Sequence, residues 1–228
     1  FNQIHKKFFK KFKKNILAEI NLDTKIIVKK FLIHKNITLN KKIICLQFRD
    51  QNFYTGPKTR GTNFEIVEPI VDYLLKKNFV VVRFISKYSA HTFADKRKDY
   101  LEINIDDEIS KKIQFSFINE SSLVICYQGG IHSMNQIVKT PFLQINSIPL
   151  NINGLIKPTD KIISKKFFST VEKKYLSFAE IKKRNLHLYV DIRSTKKNSV
   201  DIIDNSLDEI LDSINEIIDN KKSENTLF

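Results

Sequence analysis

The sequence predicts an α/β fold: a Rossmann-like parallel sheet with helices on both faces. Short apolar segments alternate with amphipathic helical stretches along most of the chain, the pattern of βαβ units. The apolar segments run almost without polar interruption, as in Ile43-Ile-Cys-Leu-Gln-Phe48 and Phe79-Val-Val-Val-Arg-Phe84, which is how strands covered on both faces read. The chain also has material for a sizeable core, since 42% of its 228 residues are hydrophobic and 18 are Phe.

Residues 43–48 read as the first strand, and a polar loop with Gly56, Pro57 and Gly61 follows. Phe64 to Lys77 reads as a helix with Ile66, Val67, Ile70, Val71, Leu74 and Leu75 on one face. Pro69 falls near its first turn, where a missing N–H costs little, and Asn78 is suited to end it as the C′ residue. The second strand is 79–84. Tyr100-Leu-Glu-Ile103 reads as a short strand and 107–119 as a helix. A strand at 122–127, a helix at 131–139 and a strand at 142–145 come next. Ser206 and Glu209 have capping-box spacing, and Leu207, Ile210, Leu211, Ile214, Ile217 and Ile218 then line one stripe of a closing helix. The expected organisation is a basic amphipathic segment over 1–42, a Rossmann-like domain over 43–220 and a frayed tail over 221–228.

The net charge of +14 is concentrated at one end. Residues 1–42 hold 12 Lys against Glu19 and Asp23, a net +10, and leave the remainder near +4. A basic surface spread over the fold would point to nucleic acid; a basic end does not, and no recognition motif for nucleic acid is present. On a helix, Ile4, Phe8, Phe12, Ile16 and Ile20 make one apolar stripe flanked by Lys6, Lys7, Lys10, Lys11, Lys13 and Lys14. Residues 1–20 therefore fit either an anionic membrane surface or an ordinary helix packed on its own domain. No apolar run approaches the ~20 residues of a membrane span, and no secretory pattern is visible. Phe1 rather than Met opens the chain, so it reads as a fragment or a processed piece. Cys45 and Cys126 fall in buried strands and read as reduced core thiols of a cytoplasmic protein. Neither has a close Cys/His neighbour, so no metal site is expected.

Gly129 and Gly130 stand out, because the chain has only five glycines. They separate the strand at 122–127 from a helix, an arrangement in which backbone N–H groups can meet a phosphate. The alternative is a plain turn that needs positive φ. Arg49 directly follows the first strand, at the edge where open parallel sheets bind ligands. It suits a bidentate phosphate clamp, or simply a surface pair with Asp50. Arg83 has apolar neighbours and needs a partner, a carboxylate or a ligand. Ser133 reads as a phosphate-binding or capping hydroxyl and His132 as a ligand contact. The two are adjacent and do not face each other as a nucleophile and base would.

The order of these motifs resembles a family of glycosyltransferases encoded in bacterial surface-polysaccharide loci. The resemblance rests on Cys45-Leu-Gln-Phe-Arg-Asp50, Asn63-Phe-Glu-Ile66, Asn78-Phe-Val-Val-Val-Arg83, Ser121 to Met134, Thr140-Pro-Phe142, Asn146-Ser-Ile-Pro-Leu150, Lys165-Lys166, Tyr175-Leu-Ser-Phe-Ala-Glu180 and Asn205-Ser206. It covers roughly residues 43–218, and departs from the family pattern at Thr62, Phe84-Ile85-Ser86, Lys111-Lys112 and His132-Ser133. It implies the C-terminal, nucleotide-sugar-binding half of a GT-B-like enzyme. Such an enzyme moves a sugar from a nucleotide-diphosphate donor to a surface-polysaccharide or lipid-linked acceptor, without metal or cofactor, in the cytoplasm or at the inner face of the membrane. Arg49, Arg83, Gly129, Gly130 and Ser133 would bind the diphosphate, with His132 and Asn146 as further donor contacts. The general base would come from an acceptor half. The rival readings are a non-catalytic sugar- or nucleotide-binding module of the same fold and a basic nucleic-acid-binding protein.

Overall fold

The computed structural model describes residues 23–48, 64–86, 97–127, 129–134, 137–148, 157–188 and 198–224. Helix α1 (Thr24–His34) leads into β1 (Ile43–Gln47). A 3-10 turn (Phe64–Ile66) opens α2 (Val67–Lys76), followed by β2 (Val80–Ile85), β3 (Tyr100–Asn104), α3 (Glu108–Glu120), β4 (Leu123–Cys126), the short α4 (Gly130–Met134) and β5 (Phe142–Ser147). Then come β6 (Lys161–Ser164), β7 (Lys166–Ser169), β8 (Lys174–Tyr175), α5 (Phe178–Lys183), a 3-10 turn (Leu186–Leu188), β9 (Val200–Ile203) and α6 (Leu207–Glu224).

Six strands form one sheet in the order β3-β2-β1-β4-β5-β6, parallel at every pairing. Successive residues of a strand point to opposite faces, and both faces are covered. Ile44, Leu46, Val81, Leu123, Ile125 and Leu143 meet α2 and α6 through Val67, Ile70, Val71, Leu74, Ile210, Ile214 and Ile217. Ile43, Cys45, Val80, Val82, Phe84, Val124 and Cys126 meet α1, α3 and α4 through Val28, Leu32, Phe117, Ile118 and Ile131. Each such side chain contributes about 1.5–3 kcal/mol by leaving water. A second, antiparallel sheet, β8-β7-β9, packs Phe167 and Val200 on α5 around Ile148, Leu176, Ile181 and Leu186.

The expected Rossmann-like sheet is present, and several local expectations hold. Asn78 has φ 67° and ends α2 as a left-handed residue. Ser206 and Glu209 form the capping box: Ser206 N donates to Glu209 Oε2 at 2.8 Å and Glu209 N to Ser206 Oγ at 3.3 Å. Other expectations change. Of the helix expected over 131–139, Gly130–Met134 is helical and 137–139 is not, among the described residues. Helix α1, within the segment 1–42, buries Val28 and Leu32 against the sheet. The last helix runs to Glu224 rather than fraying at 221. The basic stripe over 1–20 lies outside the described residues. Among the described residues no helix is long and apolar enough to cross a membrane.

Candidate functional site

The strand order fixes where a ligand can enter. The chain builds β1, β2 and β3 outward in one direction, then returns past β1 to build β4, β5 and β6 in the other. The crevice between the carboxyl ends of β1 and β4 is therefore the topological switch point, the usual ligand site of open parallel sheets. Gln47 pairs with Cys126 there, and Tyr127 N donates to the Gln47 carbonyl at 3.3 Å. Phe48 and Tyr127, the residues that follow these strands, pack edge to face with ring centroids 5.5 Å apart. Both rings are buried, so they anchor the points from which the chain leaves towards residue 49 and towards the glycines.

Gly129 and Gly130 follow Tyr127 after one residue, Gln128. The plain-turn explanation fails at Gly130. Its φ is not positive, and a Cβ built there would meet nothing within 4 Å. Neither backbone conformation nor crowding requires glycine, and the residue is exposed at the first position of α4. The first turn of α4 carries no acidic residue to oppose an anion.

The other expected site residues divide. Arg49 lies outside the described residues. His132 and Ser133 belong to α4, but their side chains are outside the described part. Arg83 is 2% exposed, and its Nη1 donates to Glu102 Oε1 at 2.9 Å. Glu102 Oε1 also accepts from the Tyr100 hydroxyl at 2.7 Å. Of the two partners the sequence left open for Arg83, the structure supplies the carboxylate. Burial, and then the neighbouring Glu102, push the Tyr100 hydroxyl pKa up.

Asn146 likewise turns inward. It is buried with φ 50°, at the irregularity where the β5–β6 register shifts. Its backbone N donates to Asn205 Oδ1 at 2.7 Å, and Asn205 N donates back to Asn146 Oδ1 at 2.6 Å. Its Nδ2 donates to the Tyr127 hydroxyl at 2.8 Å. Its amide therefore ties the end of β5 to the residues that lead into α6 and to Tyr127, two residues before Gly129. That is a positioning role.

Sequence reasoning missed a second buried polar group. Lys157 and Asp160 close a turn, with Asp160 N donating to the Lys157 carbonyl at 3.0 Å. Lys157 Nζ then donates to the carbonyls of Val138, at 3.1 Å, and Thr140. Asp160 Oδ1 accepts from Phe142 N at 3.0 Å. Burial raises the Asp160 carboxyl above its ordinary range despite the nearby Lys157 ammonium. The Pro at the second position of Lys157-Pro-Thr-Asp160 was the available turn signal. This group braces the entry to β5, at the opposite edge of the sheet from the switch point. Among the described residues no cluster of His, Cys, Asp and Glu has the makings of a metal site.

Escherichia coli ADP-heptose lipopolysaccharide heptosyltransferase II superposes with a TM-score of 0.57 over 91% of this chain and 54% of its own, at 11% identity. The fold is shared with glycosyltransferases. A glycosyltransferase family 9 protein of Veillonella parvula matches with a TM-score of 0.50 over 81% of this chain and 53% of its own, at 12% identity. The chain thus spans about half the length of each. No family model and no curated protein matches the sequence.

Proposed function

We propose that the chain is the donor-binding half of a glycosyltransferase and holds a nucleotide-diphosphate sugar at the carboxyl edge of β1 and β4. The observation that carries this reading is the strand order, which makes a switch point of the gap between the ends of β1 and β4, where Phe48 and Tyr127 pack together. The name of the E. coli neighbour carries ADP-heptose, a sugar on a nucleoside diphosphate. Donors of that class are what we propose here, with a surface-polysaccharide or lipid-linked glycan as acceptor.

In this reading the backbone N–H groups at Gly129 and Gly130 face the diphosphate, and Arg49, next after Phe48, clamps it from the β1 side. Such donors stabilise the negative charge that grows on the leaving diphosphate as the sugar departs, without a metal ion. Ser133 adds a hydroxyl and His132 a contact to the donor. The base that takes the acceptor proton belongs to an acceptor half.

Calorimetric titration with UDP-, GDP-, ADP-, CMP- and dTDP-sugars tests the proposal. One nucleoside diphosphate sugar should bind. Arg49→Ala should weaken it about tenfold to a hundredfold, since a hydrogen bond to a charged group contributes about 1.5–3 kcal/mol. Failure of every donor to bind the folded protein would sink the reading. Binding without turnover in the presence of glycan acceptors would leave a nucleotide-sugar-binding module in place of a transferase.

A further inference from the structure

The opposite edge of the sheet holds a cavity. It has a volume of about 280 Å³ and lies among the amino ends of β1, β2 and β4 and the later turns of α6, lined by Asn40, Lys41, Lys42, Lys77, Asn78, Phe79, Ser122, Ile217 and Ile218. It is roughly 16 Å from the switch point, the length of β1 at about 3.3 Å per residue. We propose that this cavity binds a phosphate monoester whose organic part is apolar.

Three observations support that ligand class. The first is charge: three lysines line the cavity and no acidic residue does. Lys41 is already paired, its Nζ 2.7 Å from Asp99 Oδ2. Lys77 lies over the Tyr73 ring at 5.5 Å, and Lys42 is exposed; neither has a carboxylate partner among the described residues. The second is polarity at the rim, where the amides of Asn40 and Asn78 can donate to anionic oxygens beside the two ammonium groups. The third is the apolar wall of Phe79, Ile217 and Ile218, which would cost affinity against inorganic phosphate and favour an organic substituent.

The frame is rigid. Val80 N donates to the Lys42 carbonyl at 2.9 Å, Ser122 N to the Ile43 carbonyl at 2.8 Å and Phe79 N to the Leu74 carbonyl at 3.2 Å. Asn78 is held in the left-handed conformation by the turn that ends α2. The lysines at the end of α2 also complement its dipole. That accounts for Lys77 but not for Lys42, which precedes a strand.

Calorimetry and thermal melts with hexyl phosphate, inorganic phosphate and hexanol test this. Hexyl phosphate should bind at one site per chain and raise the melting temperature, inorganic phosphate should bind more weakly, and hexanol should not bind. Lys42→Glu combined with Lys77→Glu reverses two charges and should weaken hexyl phosphate at least about tenfold, or about 1.4 kcal/mol. The same charge change on α5, Lys182→Glu with Lys183→Glu, should leave it intact. Absence of saturable binding into the millimolar range, or equal loss in both double variants, overturns the proposal. Sedimentation with phosphatidate vesicles then separates two sources of the same chemistry. Vesicle binding that hexyl phosphate displaces identifies a lipid headgroup, and no vesicle binding identifies a free phosphate ester. Vesicle binding that hexyl phosphate does not displace and that Lys42→Glu with Lys77→Glu does not weaken belongs to another surface, and the loss or retention of hexyl phosphate binding in that variant then decides the proposal. Nucleotide-sugar titrations of the same variants keep this result independent of the donor reading.

Discussion

Gly130→Ala separates a structural glycine from one that leaves room for a ligand. Gly130 begins α4, its φ suits any L-residue, and the added methyl group would meet no atom within 4 Å. The folded state should therefore accept alanine, and the unfolded chain loses freedom. The expected outcome is a gain of up to about 0.4–1 kcal/mol in urea unfolding. Donor binding should move the other way. If a diphosphate oxygen approaches the backbone N–H groups at this turn, the methyl group occupies that approach. Loss of one hydrogen bond to a charged oxygen is about 1.5–3 kcal/mol, or about tenfold to a hundredfold in Kd by calorimetry. A variant as stable as the parent that binds the donor within about twofold refutes the diphosphate role of this turn. A variant destabilised by more than about 1 kcal/mol refutes the claim that the fold does not need glycine here.

Arg83→Met leaves the Glu102 carboxylate without its buried partner and should cost about 3–5 kcal/mol in chemical denaturation; adding Glu102→Gln should recover part of this, and donor affinity of the folded double variant should be unchanged. Asn146→Ala removes both side-chain bonds to Asn205 N and Tyr127 Oη at a left-handed position, and should cost about 2–4 kcal/mol by the same measurement. Burial of Asp99 pushes its carboxyl up, but the hydrogen bonds from Lys41 and Thr38 outweigh this and hold it below its ordinary range. Its contribution is therefore full above the unfolded pKa of about 3.9 and declines as pH falls towards the lower folded value. Asp99→Asn should lower stability at neutral pH, and the gap to the parent should narrow below about pH 4 in acid melts. Burial pushes the Cys45 thiol up to about 12 and the Cys126 thiol higher than its ordinary value too. Neither should react with Ellman's reagent in the native protein at mildly alkaline pH, whereas both should in guanidinium.

The sheet was legible because its strands advertise themselves. Ile43 to Leu46 and Val80 to Val82 are apolar at every position, since alternate side chains enter two different cores. Local signals at helix ends were equally readable, as Asn78 and the Ser206–Glu209 box show. Helix α1 was hidden inside a lysine-rich run. Its outer face carries Lys25, Lys29 and Lys30, and its only deeply buried apolar side chains are Val28 and Leu32. The β7–β9 sheet escaped because its strands are two to four residues long and pair across distant segments. Arg83 and Asn146 show the limit at the site. A sequence can say that a polar group near a strand end needs a partner, but Glu102 and Asn205 are brought in by register and by a chain crossing that spacing alone does not encode.

Helix α6 has a consequence for how the chain acquires its fold. Ile210, Ile214 and Ile217 cover the sheet face formed by Ile44, Leu46 and Leu123, and Asn215 accepts a hydrogen bond from Tyr73 on α2. These partners lie far apart along the chain, so closing that loop brings no reward until the sheet exists to receive the helix. During synthesis, the residues that seal this face leave the ribosome after nearly everything they seal. Until then a broad strip of Ile, Leu and Val stays open to water, the surface on which a nascent chain recruits chaperones or finds the wrong neighbour.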